Sequence, residues 1–78
     1  MLYLEAMEQC IRGDNNKIRC GLMEEGEYIS YDTVEKRLLW WDSKHRCHWS
    51  YPADVNDEDY QKWIFDDWQV CNNIKPLA

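Results

Sequence analysis

The sequence predicts an α+β fold: an N-terminal helix packed on a curled antiparallel sheet of about five strands, with a short helical turn before the last strand. Three observations lead there. Apolar residues recur at a helical spacing over residues 2–12. Between residues 17 and 51 the chain falls into short segments rich in Ile, Tyr, Leu and Trp, separated by turns carrying Gly, Asp, Ser or Lys. Trp68 and Val70 then stand two residues apart, on one face of a last strand, after an acidic helical turn.

The helix places Tyr3, Ala6, Met7, Cys10 and Ile11 on one stripe, and Glu8 four residues before Arg12, the favoured orientation for an ion pair. Gly13 suits the position after its end, and Asp14-Asn15-Asn16 is turn chemistry. A strand is predicted over 17–22, with Ile18, Cys20 and Leu22 on one face and Lys17, Arg19 and Gly21 on the other. After the turn Glu24-Glu25-Gly26, a second strand covers 27–32. A hairpin leads to a third over 37–41, where Leu38-Leu39-Trp40-Trp41 is apolar on both faces. Such a strand is either central or meets a partner. A fourth covers 45–51, with Cys47, Trp49 and Tyr51 on one face, ended by Pro52. Asn56-Asp57-Glu58-Asp59 reads as a helix N-cap with acids in the first turn, and Tyr60, Trp63 and Ile64 form the apolar side of that short helix. The last strand covers 67–71. Residues 1–72 are expected to form one domain and 73–78 a flexible tail, without internal repeat or low-complexity linker.

A chain of 78 residues is one domain and buries only about 60–65% of its unfolded surface. Five Trp and five Tyr offset that handicap. The net charge is −6, and Asp54, Asp57, Glu58, Asp59, Asp66 and Asp67 have only Lys62 among them. A nucleic-acid binder shows the opposite sign, so direct binding of DNA or RNA is not expected. The acid run is either a solvated face or a surface for a basic patch on a partner, and Asp54, Asp57, Glu58 and Asp59 are its candidate contacts. Glu5 and Glu8 interrupt the first apolar residues, and no apolar run approaches the roughly 18–20 residues of a membrane span. A cytoplasmic protein with reduced thiols at Cys10, Cys20, Cys47 and Cys71 is expected.

Catalytic constellations are thin. His45-Arg46-Cys47-His48 is one close-spaced ligand group where structural zinc needs two, so no metal is expected. Nothing in the sequence builds a pocket in which Cys47 and a histidine converge, and Asp66-Asp67 point opposite ways on a strand. Three Gly supply no phosphate-cradling loop. Binding without cofactor remains. Tyr3, Arg19, Tyr28, Trp40 and Trp41 are the candidate ligand site, rings for a base and a guanidinium for phosphate. Trp68 could join them, but its position beside Val70 marks it as structural. The bare apolar face of the third strand predicts self-association, unless residues 57–64 fold over it and bury Trp63 against Trp41.

The two ends of the chain carry a resemblance. Leu4-Glu5-Ala6-Met7-Glu8-Gln9-Cys10-Ile11-Arg12-Gly13, then Lys17-Ile18-Arg19, and Asp67-Trp68-Gln69-Val70 near the end resemble a group of small bacteriophage proteins. That group opens with a Glu-Ala helix ended by Gly, continues with a strand that begins with Lys and Ile or Val and carries Arg, and closes on Asp-Trp-x-Val. It includes the second type of Thoeris anti-defence protein and a related anti-CRISPR protein. The resemblance implies a homo-oligomer, acting in the infected bacterial cell, that sequesters a cyclic ADP-ribose-type signal between subunits without cleaving it. The group carries a Trp shortly after the Arg; here Gly21-Leu22-Met23 follow, and the next aromatic is Tyr28. The expected function is therefore non-enzymatic phage counter-defence by stoichiometric binding of a cyclic nucleotide signal. The alternative is inhibition of a host defence protein through the acidic surface, anti-CRISPR-like or as a nucleic-acid mimic.

Overall fold

The computed structural model describes residues 1–13 and 16–71. The turn expected at Asp14-Asn15 and the tail over 73–78 lie outside the described residues. The elements run α1 (Tyr3–Arg12), β1 (Ile18–Cys20), β2 (Tyr28–Asp32), β3 (Arg37–Asp42), β4 (Cys47–Ser50), α2 (Glu58–Trp63) and β5 (Trp68–Val70). They form one antiparallel sheet in the order β4-β3-β2-β1-β5, a four-strand meander with β5 returning beside β1. The predicted α+β architecture is the observed one, with one correction: the sheet is open and not strongly curled. β1 and β5 have only 3 residues each, too little strand for a pronounced coil to accumulate.

Register decides the two faces. Ile18 pairs with Ile29, Ile29 with Trp40, and Trp40 with Trp49. The face carrying Ile18, Cys20, Ile29, Trp40 and Trp68 holds the core. α1 lays Ala6, Met7 and Cys10 into it over β5, β1 and β2. Full burial of Ile18 or Ile29 is worth about 1.5–3 kcal/mol each. α2 covers the β3 end of the same face: Trp63 meets Trp40 edge to face at 5.9 Å. Tyr3 joins the two helices, 5.4 Å from Trp68 and 6.5 Å from Tyr60. Both helices therefore lie on one side. α2 does not fold Trp63 against Trp41, and no helix among the described residues covers the other side.

The apolar stripe of α1 is narrower than its spacing suggests, since Ile11 is exposed; Leu22, beyond the short β1, and Trp49, on the edge strand β4, are exposed too. The Glu8–Arg12 pair forms at 2.8 Å. Gly13 ends α1 in extended backbone rather than left-handed backbone. A Cβ there would meet the Asn16 side chain, whose amide donates to the Gln9 carbonyl at 2.9 Å, so that side chain would have to turn away. Gly26 has φ +83° in a turn closed by Glu27 N–H donating to Glu24 O, a conformation glycine adopts without strain. The two hairpin turns share one design. Asp32 Oδ1 accepts from the N–H groups of Val34 and Glu35, and Asp42 Oδ1 from those of Lys44 and His45. Lys36 and Arg46 then close them at φ 55° and 54°. Asp57 caps α2 by accepting from Asp59 and Tyr60 N–H.

Candidate binding site

On the helix-free face the same register lines up one residue from each strand: Gln69, Arg19, Tyr28, Trp41 and His48. Period-2 alternation sends all five side chains away from the core. The rings form a continuous strip. Tyr28 lies 6.4 Å from Trp41 at an interplanar angle of 23°, and Trp41 lies 4.8 Å from His48. Ser30 and Leu39 form the next row.

Cations flank the strip. Lys17 Nζ sits 4.7 Å from the centroid of Tyr28, a cation–π distance. Arg19 Nη2 donates to the carbonyls of Met23 at 3.2 Å and Glu24 at 3.5 Å, which anchors the guanidinium beside the strip. Arg37 Nη1 donates to Ser50 Oγ at 2.9 Å. Asp32 shares this side by register, but its carboxylate is turned into the hairpin backbone. Burial pushes the Tyr28 phenol up, so it stays neutral and a hydrogen-bond donor through the ordinary range. Burial also raises the Cys71 thiol at the β5 end, against the opposing field of Arg19.

No family model, curated protein or solved structure matches this chain.

Of the sequence-predicted ligand residues, Arg19, Tyr28 and Trp41 come together on this face. Tyr3 and Trp40 lie on the other, packed against the core. His48 belongs to the strip and Lys17 flanks it, although the sequence did not single them out as ligand residues. Lys17 was legible from its alternation with Ile18. His48 was legible only by counting back from the 43–46 turn to its pairing with Trp41.

The other candidates separate. Trp68 is buried, its indole N–H donating to Trp63 O at 2.7 Å. Asp42 gathers the β3–β4 turn: His45 Nδ1 lies 2.7 Å and Trp49 Nε1 3.2 Å from its Oδ2. Burial raises the Asp42 carboxyl, but the hydrogen bonds from the His45 ring and backbone and from Trp49 outweigh it and hold the group below its ordinary value. With His45 engaged there and His48 on the free face, Cys47 has no hydrogen bond to either histidine among the described residues. Asp66 accepts from Leu22 N–H at 2.8 Å, whereas Asp67 accepts from the Met1 amine, so the two carboxylates diverge. Among the described residues no group of three or more His, Cys, Asp or Glu is placed to hold a metal ion. No described helix is long and apolar enough to cross a membrane. Asp54, Asp57 and Asp59 gather around a small cavity on the helical side, and Glu58 lies outside it.

Proposed function

We propose that this protein is a non-enzymatic phage counter-defence protein that sequesters a cyclic nucleotide immune signal on the helix-free face of its sheet. The observation that carries the ligand class is the strip Arg19–Tyr28–Trp41–His48 with Lys17 beside it. In a chain of net charge −6, cations and π-faces are together on this side. A base stacks on Trp41 or Tyr28, worth about 1–3 kcal/mol. A pyrophosphate takes charge-assisted hydrogen bonds from Lys17 and Arg19, each worth about 1.5–3 kcal/mol. The phage and counter-defence role rests on the resemblance of the chain's two ends.

A flat sheet face buries too little of a nucleotide, since ligand sites commonly enclose about 70–90% of a small molecule. A second copy laid on the same face supplies the missing wall and covers Leu39 and Trp41. The working unit is thus a homo-oligomer in the cytoplasm of the infected cell, with no cofactor.

Isothermal titration with cyclic ADP-ribose and ADP-ribose tests this reading, with chromatography of the released ligand. The expected result is stoichiometric binding of unchanged nucleotide. Trp41→Leu is expected to weaken it at least about tenfold, as loss of one stacking contact does. Trp40→Phe, on the other face, leaves it intact. Absence of binding to both nucleotides, or equal loss in the two variants, refutes the site. Sedimentation equilibrium giving 9.5 kDa with and without ligand refutes the oligomer.

The second reading, inhibition of a host defence protein, is favoured by Asp54, Asp57 and Asp59 collecting on the side away from the strip. A host protein co-purifying stoichiometrically from infected cells, with no nucleotide present, decides for it.

A further inference from the structure

The helical side of the sheet holds a second concave site. Trp40, Tyr51, Tyr60 and Trp63 wall a cavity of about 110 Å³. Trp40 and Trp63 meet at 5.9 Å and 63°, and Tyr51 and Tyr60 at the same distance and angle. Asp54, Asp57 and Asp59 line its exposed rim, and among the described residues no Lys, Arg or His lines it.

We propose that this cavity is a cation cage that receives the ammonium group of a lysine side chain from a partner protein. Four electron-rich rings around one small space attract a cation through their quadrupoles, and more strongly as water is excluded. The three carboxylates add a negative field at the entrance. Asp54 and Asp57 each commit one oxygen to backbone N–H groups, of Asn56 and of Asp59 and Tyr60. Asp59 makes no side-chain hydrogen bond or ion pair among the described residues, so its charge is available. Tyr51 is 8% exposed, with its hydroxyl buried towards Tyr3 and Tyr60, so it presents ring rather than oxygen to the cavity.

Ring geometry selects lysine over arginine. A guanidinium is planar and stacks between parallel faces, whereas an ammonium is a compact point charge. Each pair is crossed at 63°, so neither offers two parallel faces to a guanidinium. The acid extends past the cavity to Glu58, on the exposed side of α2, which suits a lysine set in a wider basic surface rather than a free amine.

The test is a titration of the full chain with acetyl-Gly-Lys-Gly-amide, following the indole N–H resonances of Trp40 and Trp63 by NMR. Matched peptides carry norleucine or arginine in place of lysine, and spermidine represents a free amine. The lysine peptide is expected to shift both indoles saturably and to bind at least about fivefold tighter than the norleucine peptide. Asp59→Asn is expected to weaken it about threefold with an unchanged far-ultraviolet circular dichroism spectrum. Equal response to norleucine reduces the cavity to an apolar gap and overturns the proposal. So does tighter binding of arginine or of spermidine, or no shift up to about 10 mM peptide. Its failure leaves the nucleotide reading untouched, because Lys17, Arg19, Tyr28 and Trp41 do not line this cavity.

Discussion

Trp68→Phe measures how much of this fold hangs on one side chain. Trp68 is 1% exposed, packs against Tyr3 at 5.4 Å, and donates its indole N–H to Trp63 O at 2.7 Å. Phe keeps the six-membered ring and deletes the rest. The lost hydrogen bond costs about 1 kcal/mol, not the full penalty of an orphaned acceptor, because Trp63 O also accepts from Asp66 N–H at 3.1 Å. The vacated space, about 40 Å³, adds about 1 kcal/mol at roughly 24 cal/mol per Å³. The buried apolar area removed, about 30 Å², adds a little under 1 kcal/mol at about 25 cal/mol per Å². The sum is about 2–3 kcal/mol. A chain of this length has a total stability of about 4–12 kcal/mol, at roughly 0.05–0.15 kcal/mol per residue. The variant is therefore expected to fold, with its urea midpoint lowered by about 2–3 M for a slope near 1 kcal/mol per M. Urea titration followed by circular dichroism is the assay. Trp68→Ala, at about 3–5 kcal/mol, approaches the lower end of that total stability. A Trp68→Phe midpoint within about 0.3 M of the parent refutes the reasoning.

Three further outcomes are expected. Lys36→Gly and Arg46→Gly remove left-handed strain from the two hairpin turns and are expected to raise stability by up to about 1 kcal/mol each; a loss in both contradicts the turn geometry. Burial raises the Glu27 carboxyl above its ordinary 4.5, helped by the fields of Asp42 and Glu24 and opposed by the hydrogen bond from Glu24 N–H. The folded state thus favours the protonated acid, and its contribution to stability is lost as pH rises through the folded-state pKa. Glu27→Gln keeps an oxygen for Glu24 N–H, so melting is expected to show a gain over the parent at pH 7 that disappears well below 4.5; a gain of the same size throughout refutes the titration argument. Burial pushes the thiols of Cys10 and Cys20 up to about 11 and both are 0% exposed, so iodoacetamide on native protein is expected to label Cys47 and Cys71 first, by peptide mapping.

Much of the fold was legible because its signals are local. The helical period of Ala6, Met7 and Cys10, the cap at Asp57 and the Asp-led turns at 32 and 42 each need only neighbouring residues. The alternation of β1 already put Arg19 opposite Ile18 and Cys20, and the pairing of Trp68 with Val70 on one face of β5 already marked that ring as core. The strand Leu38-Leu39-Trp40-Trp41 carried no such information, because residues apolar on both faces have no period to read. Whether Trp40 or Trp41 faces the helices is settled by pairings with Ile29 and Trp49 and with Tyr28 and His48, which join residues 7 to 13 positions apart. The side taken by α2 is longer-range still. Trp63 can bury itself only where α1 leaves the sheet uncovered, and that space lies over Trp40 rather than Trp41. The residue types of the candidate surfaces were thus written in the sequence. Their division into a cationic, ring-lined face and an acid-rimmed cavity followed from register and helix placement, which are properties of the assembled sheet.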